Sequence, residues 1–359
     1  MMFAERGLSP AQIGIALAAW SATGLVLEIP AGVLADRTSR RWLLFAGQAL
    51  RSLGFVVWLL APGFWGYLVG LMMWGLKSAL LSGTFESLVY DELTAEGRSV
   101  DYARTMGRAY AARWAGFLAA SLIAAGAVRL GYDALIVASI AAGVLSAASA
   151  LALPEAPRVR PIDAPHYLGQ LVRGLADVRR LPGVLPLMLF IAAMMAIVTA
   201  CEDYWQIFGQ QVGLPPGGIG LFVAVLGGVS AVASGLAHRG RDLAMGALFA
   251  LVAVAGLLVI AAAAAYRPWA ALLVVGYIAA ARTLEVNFDA RFQHRLAPET
   301  RATVASLKGF LTQGGNTVLI LAFGLVAEAG AYRTAFLAFG AALALLGAVA
   351  LARSARASI

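Results

Sequence analysis

The sequence is short of charge. Of its 359 residues only 13% are Asp, Glu, Lys or Arg, 61% are hydrophobic, and the mean hydropathy is +0.81. A soluble domain of this length needs far more charge to cover its surface. Cysteine is nearly absent: Cys201 stands alone, so no intrachain disulfide can form. Lysine is nearly absent too, with Lys77 and Lys308 against 25 arginines, a bias of the kind a GC-rich bacterial genome leaves. The three histidines, His166, His238 and His294, fall in three separate polar breaks, so metal-ligand spacing is lacking. There is no Gly-x-x-x-x-Gly-Lys-Ser/Thr phosphate loop and no triad pattern. These absences argue against a membrane enzyme and against an ATP-driven pump. No cofactor and no metal are expected.

What the chain does have is apolar runs of about 20 residues, the length that crosses a bilayer core as helix. Helix is the expected element because backbone N–H and C=O groups in lipid must be bonded within their own segment. Eleven spans are predicted: 11–35, 42–61, 64–88, 105–128, 132–153, 184–207, 217–237, 243–265, 268–290, 303–326 and 331–352. The fold class is therefore an all-α membrane protein. The longest break, 154–183, is polar, basic and proline-rich (Pro154, Pro157, Pro165) and reads as a cytoplasmic linker between two bundles. The expected organisation is an N-terminal bundle over 1–153, this linker, and a C-terminal bundle over 184–359.

The net charge of +8 would suggest nucleic acid in a soluble protein. Here the positive charge sits in short loops, and topology explains it. One set of loops holds 18 arginines: 37, 40, 41, 98, 104, 108, 158, 160, 173, 179, 180, 239, 241, 291, 295, 301, 353 and 356. The opposite set holds four, Arg6, Arg129, Arg267 and Arg333. Basic loops stay in the cytoplasm, so the C-terminus is expected there and, with an odd number of spans, Met1 outside. The lipid bilayer is the expected surroundings, and nucleic acid is not an expected partner.

The sequence repeats internally. Gly7-Leu8-Ser9-Pro10-Ala11-Gln12-Ile13-Gly14 opens the first span and Gly213-Leu214-Pro215-Pro216-Gly217-Gly218-Ile219-Gly220 the seventh, with five of eight positions identical. Tyr90-Asp91 recurs as Phe288-Asp289, and Gly116-Phe117-Leu118 as Gly309-Phe310-Leu311. Two parallel six-helix copies are a transporter plan. The second copy has the span 184–207 before its Gly-Leu-Pro-Pro turn, whereas the first has only Met1–Arg6 there. Eleven of twelve helices are thus expected, with the first missing through a start assigned too far downstream or a real truncation.

Gly32-Val33-Leu34-Ala35-Asp36-Arg37-Thr38-Ser39-Arg40-Arg41 resembles the signature of the major facilitator superfamily (MFS) between its second and third helices. Ser39 stands where a glycine is usual. The second copy keeps only Gly235-Leu236-Ala237-His238-Arg239, and Pro298–Thr303 is similar to the start of that family's eleventh helix. The resemblance implies two six-helix bundles rocking around a central cavity, lined here by the missing first helix, 64–88, 184–207 and 268–290. It also implies a cytoplasmic gate built from Gly32, Asp36, Arg37, Arg40 and Arg41. Asp36 ends a helix where the dipole disfavours an anion, so it should seek an arginine or a foreign helix N-terminus, such as that near Thr303.

Charges within spans are expensive and default to function. The basic ones are Arg51, Lys77, Arg113, Arg282 and Lys308; the acids are Glu28, Glu86, Glu202, Asp203, Glu285 and Asp289. Arg282, Glu285 and Asp289 fall within about 60° of one another on a helix, one polar stripe facing a cavity or another helix. Arg282 with Glu285 can also be a local i,i+3 pair. Thr199, Glu202 and Gln206 share a helical face, and the adjacent acids Glu202 and Asp203 suit a proton-coupling site or a solvated mouth. Lys77, at the centre of its span, is a candidate for substrate or coupling, or a salt-bridge partner of Glu202 or Glu285. Glu86 lies about 180° from Lys77 on a straight helix and so cannot share its site. Glu28 shares a stripe with Gly14, Ser21, Gly24 and Gly32, which predicts a structural interhelical bond at a packing seam.

The function expected is secondary transport of a small, apolar or amphipathic solute, as proton-coupled efflux from a bacterial inner membrane by a monomer. Uptake of a nutrient or metabolite is the alternative, and a receptor or scaffold a more distant one. The drug-antiporter branch of the resembled family carries a glycine-proline motif in its fifth helix. The corresponding Trp114-Ala115-Gly116-Phe117-Leu118-Ala119-Ala120 has no proline.

Overall fold

The computed structural model describes residues 1–154, 178, 183–296 and 298–357, except the side chains of Asp36, Val128, 298–302 and 357. The expected linker lies almost entirely outside the described residues. The helices are α1 Met2–Glu5, α2 Pro10–Arg37, α3 Arg40–Leu60, α4 Phe64–Leu81, α5 Thr84–Ala95, α6 Tyr102–Ala127 and α7 Tyr132–Leu151. They continue with α8 Val184–Glu202, α9 Trp205–Gln211, α10 Pro216–Leu236, α11 Met245–Ala265, α12 Ala271–His294 and α13 Pro298–Ala357. No strand occurs among the described residues.

Nine helical stretches among the described residues are long and apolar enough to cross a membrane. The last, Thr303–Arg356, passes through non-helical Gly330 and Ala331, so it holds two of the expected spans. The expected span 105–128 forms α6 but is not among the nine. Arg104, Arg108 and Arg113 dilute the apolar character of its first half.

Two expected spans are not single helices. Gly83, at φ +66°, breaks the third into α4 and α5. Such a φ costs an L-residue about 1–2 kcal/mol and glycine almost nothing. The straight-helix argument that separated Lys77 from Glu86 therefore does not hold. Asp203 and Tyr204 likewise interrupt the sixth span, so Gln206 belongs to α9 and does not share a continuous helical face with Thr199 and Glu202.

The sequence repeat has a conformational counterpart. Gly7 and Gly213 take φ +86° and +87°. Leu8 N donates to Phe3 O and Leu214 N to Gly209 O, both at 3.0 Å. Each turn closes a short helix and delivers a proline to the first turn of the next. Proline is favoured there because its missing N–H would be unsatisfied anyway. Ser39 caps α3: its Oγ accepts from Trp42 N at 3.3 Å.

The chain packs as two units, residues 2–8 with 15–166, and residue 1 with 9–14 and 167–359. In the first, α3 packs between α4 and α7. Glycines let it approach: a Cβ on Gly70 would stand 2.2 Å from Trp58 Nε1, and one on Gly143 2.2 Å from Ser52 Oγ. Phe3, Phe55, Trp58, Tyr67 and Trp74 form one aromatic cluster beside this contact. In the second unit, α11 meets the last part of α13 backbone to backbone, where a Cβ on Gly256 would stand 2.3 Å from Ala344 N. Small residues at such crossings substitute van der Waals contact for the hydrophobic drive that lipid removes. Trp205 stacks on Phe336 at 4.9 Å and Tyr204 on Phe323 at 4.1 Å, filling the same unit from the α8–α9 break.

Candidate functional site

The polar centre of the second unit is Arg282. It extends from α12, and its Nη2 donates to both carboxylate oxygens of Glu202, at 2.7 and 2.8 Å. Its Nη1 donates to Glu285 at 2.7 Å, one helical turn on. One guanidinium thus holds two carboxylates from two helices. A planar fork suits this task, where an ammonium offers only a point charge. The exposures of the three side chains, 21% for Arg282, 25% for Glu202 and 42% for Glu285, leave the cluster open on the Glu285 side. With both acids ionised the cluster carries one net negative charge; with one proton bound it carries none.

The surrounding hydrogen bonds fix α8. Thr199 donates to Asn316 Oδ1 at 2.9 Å, and Tyr277 OH lies 3.4 Å from Val198 O. Asp203 follows Glu202 directly, half-buried, with no hydrogen bond or ion pair among the described residues. Asp289 does not join the Arg282 cluster. It pairs with Lys308 of α13, whose ammonium also lies 5.2 Å from the Phe292 ring centre. The expected stripe is therefore divided: Arg282 and Glu285 in one cluster with Glu202, Asp289 in another.

The sequence could show the i,i+3 pair of Arg282 and Glu285. It could not show the partnership with Glu202, which lies 80 residues away. Lys77 is half-buried on α4 in the first unit, and in the second unit Glu202 and Glu285 are both engaged by Arg282.

In the first unit, Arg40 pairs with Asp91 of α5, their side chains 18% and 33% exposed. Asp91 was visible only as one half of the Tyr90-Asp91 repeat match. The pair ties the start of α3 to α5. Gly32 and Arg37 are exposed, and the Nε of Arg41 is buried without a hydrogen-bond partner among the described residues. The side chain of Asp36 and the side chains near the start of α13 lie outside the described residues. In the second unit the corresponding loop is held differently: Asn287 Nδ2 donates to Ala237 O at 2.9 Å, and Arg291 Nη2 to Arg241 O at 3.1 Å.

Glu28 does not form the expected interhelical bond. It is exposed on α2, with no hydrogen bond or ion pair among the described residues. Part of its stripe does pack: a Cβ on Gly24 would meet Gly75 O at 3.6 Å, but Gly32 faces open space. No group of His, Cys, Asp and Glu suited to a metal occurs among the described residues.

Comparison with known proteins agrees with this framework. The model of the Major Facilitator Superfamily matches residues 1–307. Over 96 residues the chain is 32% identical to the inner membrane transport protein YajR of Escherichia coli (strain K12), a match covering 27% of this chain and 21% of that relative. Among solved structures it is similar to the nucleoside transporter NupG, with TM-score 0.79 and 14% identity over 98% of this chain and 92% of that one. It is also similar to a bacterial homologue of the lysosomal transporter Spinster in an inward-facing state, at TM-score 0.76 and 17% identity, covering 96% and 89%. A D-xylose–proton symporter follows at TM-score 0.71 and 14% identity, covering 97% and 89%. At these identities the structural likeness is one of fold.

Proposed function

The chain belongs to the major facilitator superfamily, and on that premise we propose that it is a secondary transporter that moves a small solute by alternating access, coupled to protons. The observation that carries the coupling is the Arg282 cluster: two carboxylates share one guanidinium inside membrane-spanning helices. Binding one proton there removes a net charge from the span, and a charge that comes and goes favours one conformation over another. Asp203, adjacent and without an ion pair among the described residues, is a second proton acceptor of the same site. Lys308 with Asp289 is a neighbouring element of it.

The proposed organisation is a bundle over 1–153, a linker over 154–183 and a bundle over 184–359. The gate is the corner between α2 and α3, with Gly32, Asp36 and Arg37 in α2 and Arg40 and Arg41 at the start of α3, and Arg40–Asp91 is its bistable ion pair. The arginine asymmetry supports a cytoplasmic C-terminus in a bacterial inner membrane, and the chain works as a monomer.

The direction we propose is export, with uptake as the alternative. Everted membrane vesicles energised by respiration test this with a panel of small amphipathic solutes. Export predicts chain-dependent accumulation in the vesicles. Accumulation in whole cells instead reverses the direction, and accumulation in neither overturns the transport reading.

A further inference from the structure

We infer that Glu328 is a latch: its carboxylate holds the first turn of α2 against α13, and alternating access includes a step in which that hold is released. This rests on the transport reading and adds to it a switch at the end of α2 opposite the Asp36 corner.

The first turn of α2 satisfies its donors locally, with one exception. Ser9 Oγ accepts from Gln12 N at 3.3 Å, Gln12 Oε1 accepts from Ser9 N at 3.0 Å, and Ile13 N donates to Ser9 O at 3.0 Å. The reciprocal pair is a capping box, and Pro10 has no N–H to satisfy. The donor left over is Ala11 N, and it goes to Glu328 Oε2 at 3.0 Å, 317 residues along the chain. The helix dipole favours an anion at this position in addition to the bond itself. Among the described residues no base pairs with Glu328. Arg333, past the break at Gly330 and Ala331, donates instead to Ala263 O and Ala264 O.

The same turn meets α13 backbone to backbone. A Cβ on Gly14 would stand 2.9 Å from Gly324 Cα, and one on Gly324 would stand 2.7 Å from Gly14 Cα and 2.8 Å from Pro10 O. A glycine pair allows this approach and interlocks no side chains, so the two surfaces can part without repacking. Residues 9–14 accordingly pack in the unit of 167–359, while α2 from Ile15 onward belongs to the other unit. There α4 grips it: a Cβ on Gly75 would stand 2.5 Å from Trp20 O. One helix is thus held by α13 at its first turn and by α4 about two turns later. A conformational change that moves α4 against α13 must break one of the two holds. The hold on α13 is the releasable one, because its hydrogen bond is exposed and water can replace it.

The chemistry mirrors what is expected at the far end of α2. Asp36 ends α2 and is expected to seek the start of α13. Glu328 stands just before the break in α13 and meets the start of α2. Each acid sits late in its own helical stretch, where the dipole disfavours an anion, and suits the first turn of the other helix. On the topology proposed from the arginines, the Glu328 end is the one away from the cytoplasm. The latch and the gate therefore work on opposite sides of the membrane.

The test places a thiol at Ala18, which is 8% exposed and lies one turn deeper than Gly14 on the same face of α2. Its labelling by a maleimide is timed in the purified full chain, and the parent, whose one cysteine is the buried Cys201, sets the background. Glu328→Ala should speed labelling of Ala18→Cys about fivefold, as expected for losing a charge-assisted bond at an exposed helix end. Glu328→Gln keeps an acceptor and should speed it less. Gly324→Ala forces Gly14 away and should speed it as well, whereas Asp242→Ala, which removes an exposed acid elsewhere, should not. Thermal unfolding establishes that each variant is folded, and the exposed Glu328 carries the test if Gly324→Ala does not fold. An unchanged rate in Glu328→Ala overturns the latch. So does faster labelling of Ala11→Cys with none at Ala18→Cys, which is fraying of the first turn alone. Faster labelling at Ala18→Cys without any solute flux in proteoliposomes leaves the latch standing and removes the transport reading; flux with an unchanged labelling rate does the reverse.

Discussion

Replacing Arg282 with glutamine leaves Glu202 and Glu285 facing each other without their shared cation. The guanidinium makes three hydrogen bonds of 2.7–2.8 Å. Removing one partner of a buried ion pair costs about 3–5 kcal/mol. The side chains here are 21–42% exposed, so water recovers part of this, and about 2–3 kcal/mol is the expected loss. Most of that loss is the cost of the stranded carboxylates, which a second substitution can remove. Glu202→Gln in the Arg282→Gln background should therefore restore more than half of the lost stability. Glu285→Gln should restore less, since that carboxylate is the more exposed. The assay is equilibrium unfolding in detergent across the four combinations of each pair, which isolates the coupling. If Arg282→Gln unfolds at the same denaturant concentration as the parent, or if Glu202→Gln adds a further independent loss, the cluster does not act as drawn.

Three other outcomes follow from local geometry. Ser39→Ala removes the cap of α3 and should cost about 1 kcal/mol in the same unfolding assay. Gly256→Leu places a side chain where even a Cβ meets Ala344 N at 2.3 Å, and should cost about 1–3 kcal/mol or abolish folding, whereas Gly116→Ala, which meets nothing within 4 Å, should not destabilise. Asp91→Asn should weaken the tie between Arg40 and α5 and slow solute flux, with Arg40→Gln adding little once Asp91 is changed; strictly additive effects would separate the two residues.

The fold was legible because its signal is long-ranged: apolar runs of bilayer length, arginines concentrated in every second loop, and a turn repeated with the same residues. The Gly7 and Gly213 turns show why the repeat survives, since both demand a positive φ and both hand a proline to the next helix. The breaks were not legible. Apolar residues resume on both sides of Gly83 and of Asp203-Tyr204, so each run has the length of one span, and a lone glycine in a helical pattern is as compatible with a helix as with a break. The sites were legible as a set of costly charges but not as pairs. Arg282 with Glu285 follows from spacing, whereas Glu202 with Arg282, Asp289 with Lys308 and Arg40 with Asp91 depend on which helices meet.

Proteoliposomes holding the purified chain and an internal pH dye test proton-coupled transport most directly. A solute from the amphipathic panel should drive a chain-dependent change of internal pH, and Glu202→Gln should abolish that change while solute still binds. Solute flux with no proton movement would contradict the coupling assigned to the Arg282 cluster, and no flux of any solute would contradict transport itself.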